Sequence, residues 1–134
     1  MTSERISADV QAARDLLAPP MPDDPQDLIA RLSEAAQRVQ SALDEAMAVA
    51  ALDGFSMRAI ALPAKVAPNS VPPRLARSAA LADYAEAGKV TAEGVTVARA
   101  DRDRGTPPLR FVPRKRIARE PERGPDRTTK GEPQ

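Results

Sequence analysis

The amino-acid sequence predicts a mainly α fold, organised around one long helix in the first half of a 134-residue chain. Within that half, residues 24–54 carry helix signals at both ends, and apolar side chains recur there at alternating spacings of three and four. Aromatic residues make up only 2% of the chain, and Ala supplies nearly half of its 42% apolar content. Such small side chains bury little area each, so we expect a thin core that gains from association.

The long helix is predicted from its ends and from its spacing. Asp24 is placed to cap the N-terminus, Pro25 fits the first helical position, and Gly54 supplies a left-handed stop. Because the apolar residues follow a heptad spacing, we expect them to pack against another helix, as in a coiled coil. We call this set the seam, and it consists of Ile29, Leu32, Ala36, Val39, Leu43 and Ala46. We expect this apolar face to be covered by the shorter helix predicted at Ser3–Leu17 together with a second copy, giving a homodimer, and otherwise by a helix of a protein partner.

A shorter helix is predicted to precede it, from Ser3 to Leu17, with Ser3 as its cap. Pro19, Pro20 and Pro22 end this helix and leave a short, stiff connection. Residues 1–54 therefore read as a helical hairpin and oligomerisation region. The alternative is an N-terminal segment that is frayed, since few apolar positions would hold it in place.

Residues 55–104 are predicted to form a linker with a small α/β element. The run from Phe55 to Leu62 alternates as a strand does, although a continued helix fits it as well. A third short helix is expected from Val71 to Ala87, stopped by Gly88. Two β-branched runs around Glu93 and Gly94 predict a small hairpin over residues 89–99, and the alternative is a helix that opens near Thr91.

From Asp101 the chain is charged and rich in proline, and we expect it to be disordered when free, with residues 105–134 as a disordered basic tail. Within it, residues 109–119 hold five positive charges, no acid and one aromatic ring, a composition that suits the backbone of DNA or RNA. The residues expected to contact nucleic acid or a protein partner are Arg110, Phe111, Arg114, Lys115, Arg116 and Arg119. The alternatives are an acidic groove of a protein, an anionic membrane surface, or a tail that only keeps the protein in solution.

Composition and motifs argue against an enzyme. The chain has no Cys, which excludes disulfides and Cys-based metal sites, and no His, which removes the commonest general base and the commonest metal ligand, so we expect no cofactor and no metal site. The carboxylate pair Asp44 and Glu45 is expected on a solvated helix face, where it would carry no catalysis. Gly88 and Lys89 lack the glycine and the hydroxyl residue that a phosphate-binding loop needs at its fixed spacing. A DNA-reading second helix after Gly88 is disfavoured by Gly94 in its middle.

The charge distribution and the hydropathy of the chain bear on its partners and its location. Residues 1–53 hold four basic and ten acidic side chains, net −6, whereas residues 101–134 hold ten basic and six acidic ones, net +4. No signal-peptide pattern is present, and the longest uncharged apolar run is far too short for a transmembrane helix, so we expect a cytoplasmic protein with no membrane partner.

The expected function is that of a small bacterial or phage accessory protein, which is not an enzyme. It would self-associate or dock a partner through its long helix and contact nucleic acid through the tail. The alternative is a protein-interaction adaptor or antitoxin-like regulator that does not bind nucleic acid.

Overall fold

The computed structural model describes residues 2–105, which form five α-helices joined by short turns. In chain order these are α1 (Thr2–Leu17), α2 (Pro25–Leu52), α3 (Met57–Ala64), α4 (Val71–Arg77) and α5 (Ala92–Arg104). Single 3₁₀ turns lie at Pro68–Ser70 and at Ala82–Tyr84. Among the described residues there is no strand, only one isolated antiparallel bridge between Glu86 and Lys89. The prediction of a mainly α chain is confirmed.

The long helix and its caps are found as predicted. The Asp24 side chain accepts a hydrogen bond from the Asp27 N–H at 3.1 Å, and Pro25 opens α2. The helix ends at Leu52, and Gly54 follows with φ of +101°. α1 folds back along α2, so the predicted helical hairpin is also confirmed. Ser3 lies inside α1 and does not cap it.

Of the two structures that the sequence left open for Phe55 to Leu62, the strand is wrong and a helix is formed, because most of this run belongs to α3. Ser56 is the signal that was missed: its side chain accepts from the Ala59 N–H at 3.1 Å and caps the helix. The helix closes at Lys65, which adopts the left-handed conformation with φ of 62°.

The third predicted helix starts at Val71 as expected but ends at Arg77, ten residues early. The Ser78 hydroxyl donates to the Leu75 carbonyl at 2.7 Å and accepts from the Leu81 N–H at 3.1 Å. The Glu45 carboxylate of α2 accepts a hydrogen bond from the Ala79 N–H. If α4 continued, this N–H would instead donate to the Leu75 carbonyl. These side-chain hydrogen bonds take the place of the next helical turn.

The small hairpin predicted over residues 89–99 is not formed, and the alternative, a helix opening near Thr91, is what the structure contains. The Thr91 side chain accepts from the Gly94 N–H at 3.2 Å and caps α5. α5 continues to Arg104 and ends at Gly105, whose φ is +68°. The prediction of disorder from Asp101 is therefore wrong for residues 101–104, where Asp101 is buried. Residues 106–134 lie outside the described part of the chain.

The core lies at one end of the molecule. The C-terminal half of α2 packs against α3, α4 and α5 around side chains that are almost wholly buried: Met47, Ala48, Ile60, Val71, Leu75, Leu81 and Val90. Among the described residues of the hairpin at the other end, the fully buried apolar ones are Ala13, Ala35 and Ala42, while the larger Ile6, Leu16 and Leu28 are partly buried. No large apolar side chain is fully buried at this described end of the hairpin.

Candidate association surface

The contact between α1 and α2 uses a face of α2 that differs from the seam. Asp9 of α1 is buried and accepts hydrogen bonds from Ser41 Oγ at 2.7 Å and from Arg38 Nη1 at 3.5 Å. At the loop end, Arg31 Nη1 donates to the Pro20 carbonyl at 3.2 Å. These bonds, with the buried alanines, fix the register of the hairpin, and they leave the seam uncovered by α1.

The seam lies open to solvent along most of its length. Ile29 is 66% exposed, Val39 is 49% exposed and Leu32 is 45% exposed. Ala36 and Ala46 are exposed as well, and Leu43 is partly buried because it packs against the edge of the core. The seam therefore forms an apolar stripe on the described part of the chain, and a heptad-spaced stripe of this kind fits another helix.

Beside the C-terminal end of the seam, an apolar groove opens between α2 and α3. Its volume is about 230 Å³. It is lined by Leu43, Ala46, Met47, Ala50, Phe55, Ala59, Ile60, Pro63 and Ala64, none of which is polar or charged. Two seam residues, Leu43 and Ala46, belong to this lining, so the groove continues the stripe towards Phe55, which is 58% exposed.

The carboxylate pair on α2 is buried, which corrects the prediction of a solvated face. Asp44 is 5% exposed and binds Arg74 Nε at 2.8 Å and Arg77 Nε at 3.1 Å, which ties α4 to α2. Glu45 is 2% exposed, and its Oε1 has no hydrogen-bond partner in the structure. Sequence periodicity missed these roles because the partners lie about 30 residues further along the chain.

A second polar cluster joins α5 to the turn before it. The Tyr84 hydroxyl donates to Asp101 Oδ2 at 2.8 Å, and Arg104 pairs with the other oxygen of this carboxylate. Burial, followed by the hydrogen bond to Asp101, raises the pKa of Tyr84 to about 12. A cleft of about 270 Å³ lies alongside, between Asp83, Glu86, Lys89 and Glu93. The Tyr84–Asp101 bond ties α5 to the turn before it.

The six residues predicted to contact nucleic acid or a partner, Arg110, Phe111, Arg114, Lys115, Arg116 and Arg119, lie outside the described residues. Within residues 2–105, no cluster of three or more His, Cys, Asp or Glu side chains could hold a metal ion. No helix in the same range has both the length and the apolar character to cross a membrane.

Comparisons with protein-family models, with curated proteins and with solved structures give no match to this chain.

Proposed function

We propose that this chain is a small non-enzymatic accessory protein that self-associates through α2 and contacts nucleic acid through residues 109–119. The observation that supports the first part is the exposed seam. Large apolar side chains at heptad spacing line it, and α1 packs elsewhere. Surfaces of this kind on small proteins usually mark interaction sites, and their spacing favours a helix as the occupant.

The composition of the monomer favours the same conclusion. Among the described residues at the end of the hairpin away from the core, only alanines are fully buried apolar residues, while the larger Ile29, Leu32 and Val39 are exposed to water. Covering these larger side chains removes apolar area from water, at about 25 cal/mol for each Å². Self-association thus supplies burial that the hairpin lacks by itself.

The nucleic-acid part rests on sequence. Arg110, Arg114, Lys115, Arg116 and Arg119 follow one another within ten residues and would neutralise phosphates. Phe111 would stack on a base or wedge between two. On a dimer this basic segment occurs twice, which would raise the effective affinity for one nucleic-acid molecule.

Both parts can be tested on the same two proteins, the full chain and a chain ending at Gly105. We expect light scattering to show a dimer for both. Fluorescence anisotropy with a labelled oligonucleotide should detect binding by the full chain alone. If five cations contact duplex phosphates, a plot of the logarithm of the binding constant against the logarithm of the salt concentration should have a slope of about −4.5.

The two parts can fail separately. Equal binding by the shortened chain, or no binding at low salt, would refute the role of residues 109–119 and leave self-association standing. A full chain that stays monomeric at high concentration would refute self-association. A variant with Gln at the five basic positions is the matched control, because it keeps the length of the segment and removes its charge.

A protein-interaction adaptor or antitoxin-like regulator is the second candidate, and the apolar groove between α2 and α3 favours it. An apolar side chain of a foreign protein could enter this groove beside Phe55. Under this function, a pull-down after nuclease treatment should recover one specific protein. The protein should be lost when Ala46→Glu places a charge in the groove lining.

A further inference from the structure

The exposed apolar residues of α1 lie on the same side of the hairpin as the seam. Arg5 and Ala8 border a cleft with Ala79 and Ala80, so this side of α1 faces the chain that follows α4. At 100° per residue, Val10 and Leu17 point about 120–180° away from Arg5 and Ala8. Both are exposed, at 44% and 48%.

The seam points away from the same neighbour. Glu45 of α2 contacts the Ala79 N–H, and the seam residues Leu32 and Val39 project roughly 120–140° from Glu45 around the helix. The two helices therefore present one continuous apolar surface, which we call the hairpin face. It consists of Val10, Leu17, Ile29, Leu32, Ala36 and Val39, and continues through Leu43 and Ala46 into the groove.

Charge is absent from the α2 part of the hairpin face. The charged residues of α2 are Asp27, Arg31, Glu34, Arg38, Asp44 and Glu45, and all lie roughly 100° or more from the middle of the seam. A second copy could therefore bring its own α2 against this α2 part without placing like charges opposite each other, whereas the α1 part carries the exposed Arg14 between Val10 and Leu17. An acidic or basic partner helix would find no complementary charge on the α2 part.

The sizes of the seam residues distinguish the two ways in which copies can pair. In a parallel pair each residue lies opposite the same residue of the other copy, so Ala36 faces Ala36 and Ala46 faces Ala46. The interface then has two layers that contain only alanine side chains. In an antiparallel pair centred between residues 36 and 39, Ile29 meets Ala46, Leu32 meets Leu43 and Ala36 meets Val39. Each alanine then faces a larger side chain, and such alternation lets opposite layers interdigitate.

The groove supports the antiparallel register independently of the layer sizes. Ala46 lines the groove between α2 and α3, and in this register Ile29 of the second copy lies opposite it. Ile29 is the most exposed large residue of the seam, at 66%. Two-fold symmetry repeats the contact, so each copy would place its Ile29 at the other's groove. In a parallel pair Ala46 would lie opposite Ala46 instead of Ile29.

We propose that two copies of this chain pair antiparallel through the hairpin face, with α2 against α2 and Ile29 of each copy at the other's groove. This deepens the proposed function and rests on its self-association part. The face is about 25 Å long and two helices wide, which corresponds to roughly 1,000 Å² of total buried surface. That value lies at the lower end for specific interfaces, so the dimer is expected to dissociate on dilution.

Cysteine cross-linking tests the register directly, because the chain has no cysteine of its own. The full-length Ile29→Cys and Ala46→Cys variants are made separately, one carrying a mass tag, and are mixed before oxidation. The antiparallel register predicts a covalent dimer from the mixture. It predicts none from Ile29→Cys alone, because the two copies of residue 29 would lie about 25 Å apart. A disulfide needs Cα atoms within about 7 Å.

Val97→Cys is the control for random collision, since Val97 is half-exposed on α5 and lies off the hairpin face. Leu32→Cys mixed with Leu43→Cys repeats the test at a second layer. Light scattering of the reduced proteins is measured alongside.

Covalent dimers from the mixtures, formed in yields well above the Val97→Cys control, support the proposal. A disulfide from Ile29→Cys alone indicates a parallel pair and overturns the register while leaving self-association intact. Dimers by scattering with no cross-link above the control also overturn the register. Monomers at every concentration overturn both proposals.

Discussion

Truncation of Leu32 to Ala is expected to weaken self-association about 30-fold. Full burial of a leucine side chain contributes about 1.5–3 kcal/mol. Leu32 is 45% exposed in the monomer, so association would bury the exposed part of its side chain. This burial contributes about 1 kcal/mol to the free energy of association. A two-fold dimer contains this contact twice, and the loss of about 2 kcal/mol corresponds to roughly 30-fold in the dissociation constant.

The matched control is Leu62→Ala, the same truncation at a residue of α3 that is 79% exposed and does not line the groove. Both variants are compared with the wild type by sedimentation equilibrium over a concentration series, and urea unfolding followed by circular dichroism checks that each still folds. Leu62→Ala should leave the dissociation constant unchanged. An unchanged constant for Leu32→Ala, or equal weakening by the two variants, would refute the reasoning from the exposed seam.

Two further predictions concern the monomer. Asp44→Asn leaves Arg74, whose side chain is only 15% exposed, without a charged partner, so the free energy of unfolding in urea should fall by about 3 kcal/mol. The control Asp53→Asn, at an exposed pair 3.7 Å from Arg102, should cost under about 0.5 kcal/mol, and equal losses would contradict the buried-pair argument. Tyr84→Phe should cost about 1–2 kcal/mol at neutral pH, because Asp101 loses a hydrogen bond. The pKa of Tyr84 is raised from 10.0 to about 12. The wild type should therefore keep its higher free energy of unfolding below pH 10, and the difference from Tyr84→Phe should decline towards pH 12. Urea unfolding of both proteins across this range measures the difference, and an advantage that grew with pH would contradict it.

The sequence was sufficient for the long helix because its signals are local. Asp24, Pro25 and Gly54 act within one turn of their own positions, and the structure places each as its residue type favours. The heptad spacing also located the exposed stripe. It could not show which face α1 covers, because that is decided by Asp9 meeting Ser41 and Arg38 across the hairpin.

The errors occurred where capping and tertiary contacts compete with local patterns. Phe55–Leu62 alternates as a strand does, but the Ser56 cap and the burial of Ile60 against the core select a helix. Gly94 suggested a turn, yet it lies in the first turn of α5, where an added Cβ would meet the Tyr84 carbonyl at 3.2 Å. Glycine there allows α5 to approach the preceding turn closely, a requirement that composition alone does not reveal.

The distribution of apolar residues connects the fold with the proposed assembly. Large side chains are buried where the second half of α2 meets α3, α4 and α5, so this end can hold its structure as a monomer. At the hairpin end the fully buried apolar residues are alanines, Ile6, Leu16 and Leu28 are partly buried, and five large side chains are exposed: Val10, Leu17, Ile29, Leu32 and Val39. If the hairpin only had to pack α1 on α2, these five residues would contribute more between the two helices than on the outer face. Their position on the outer face is the arrangement expected of a hairpin that is completed by another copy.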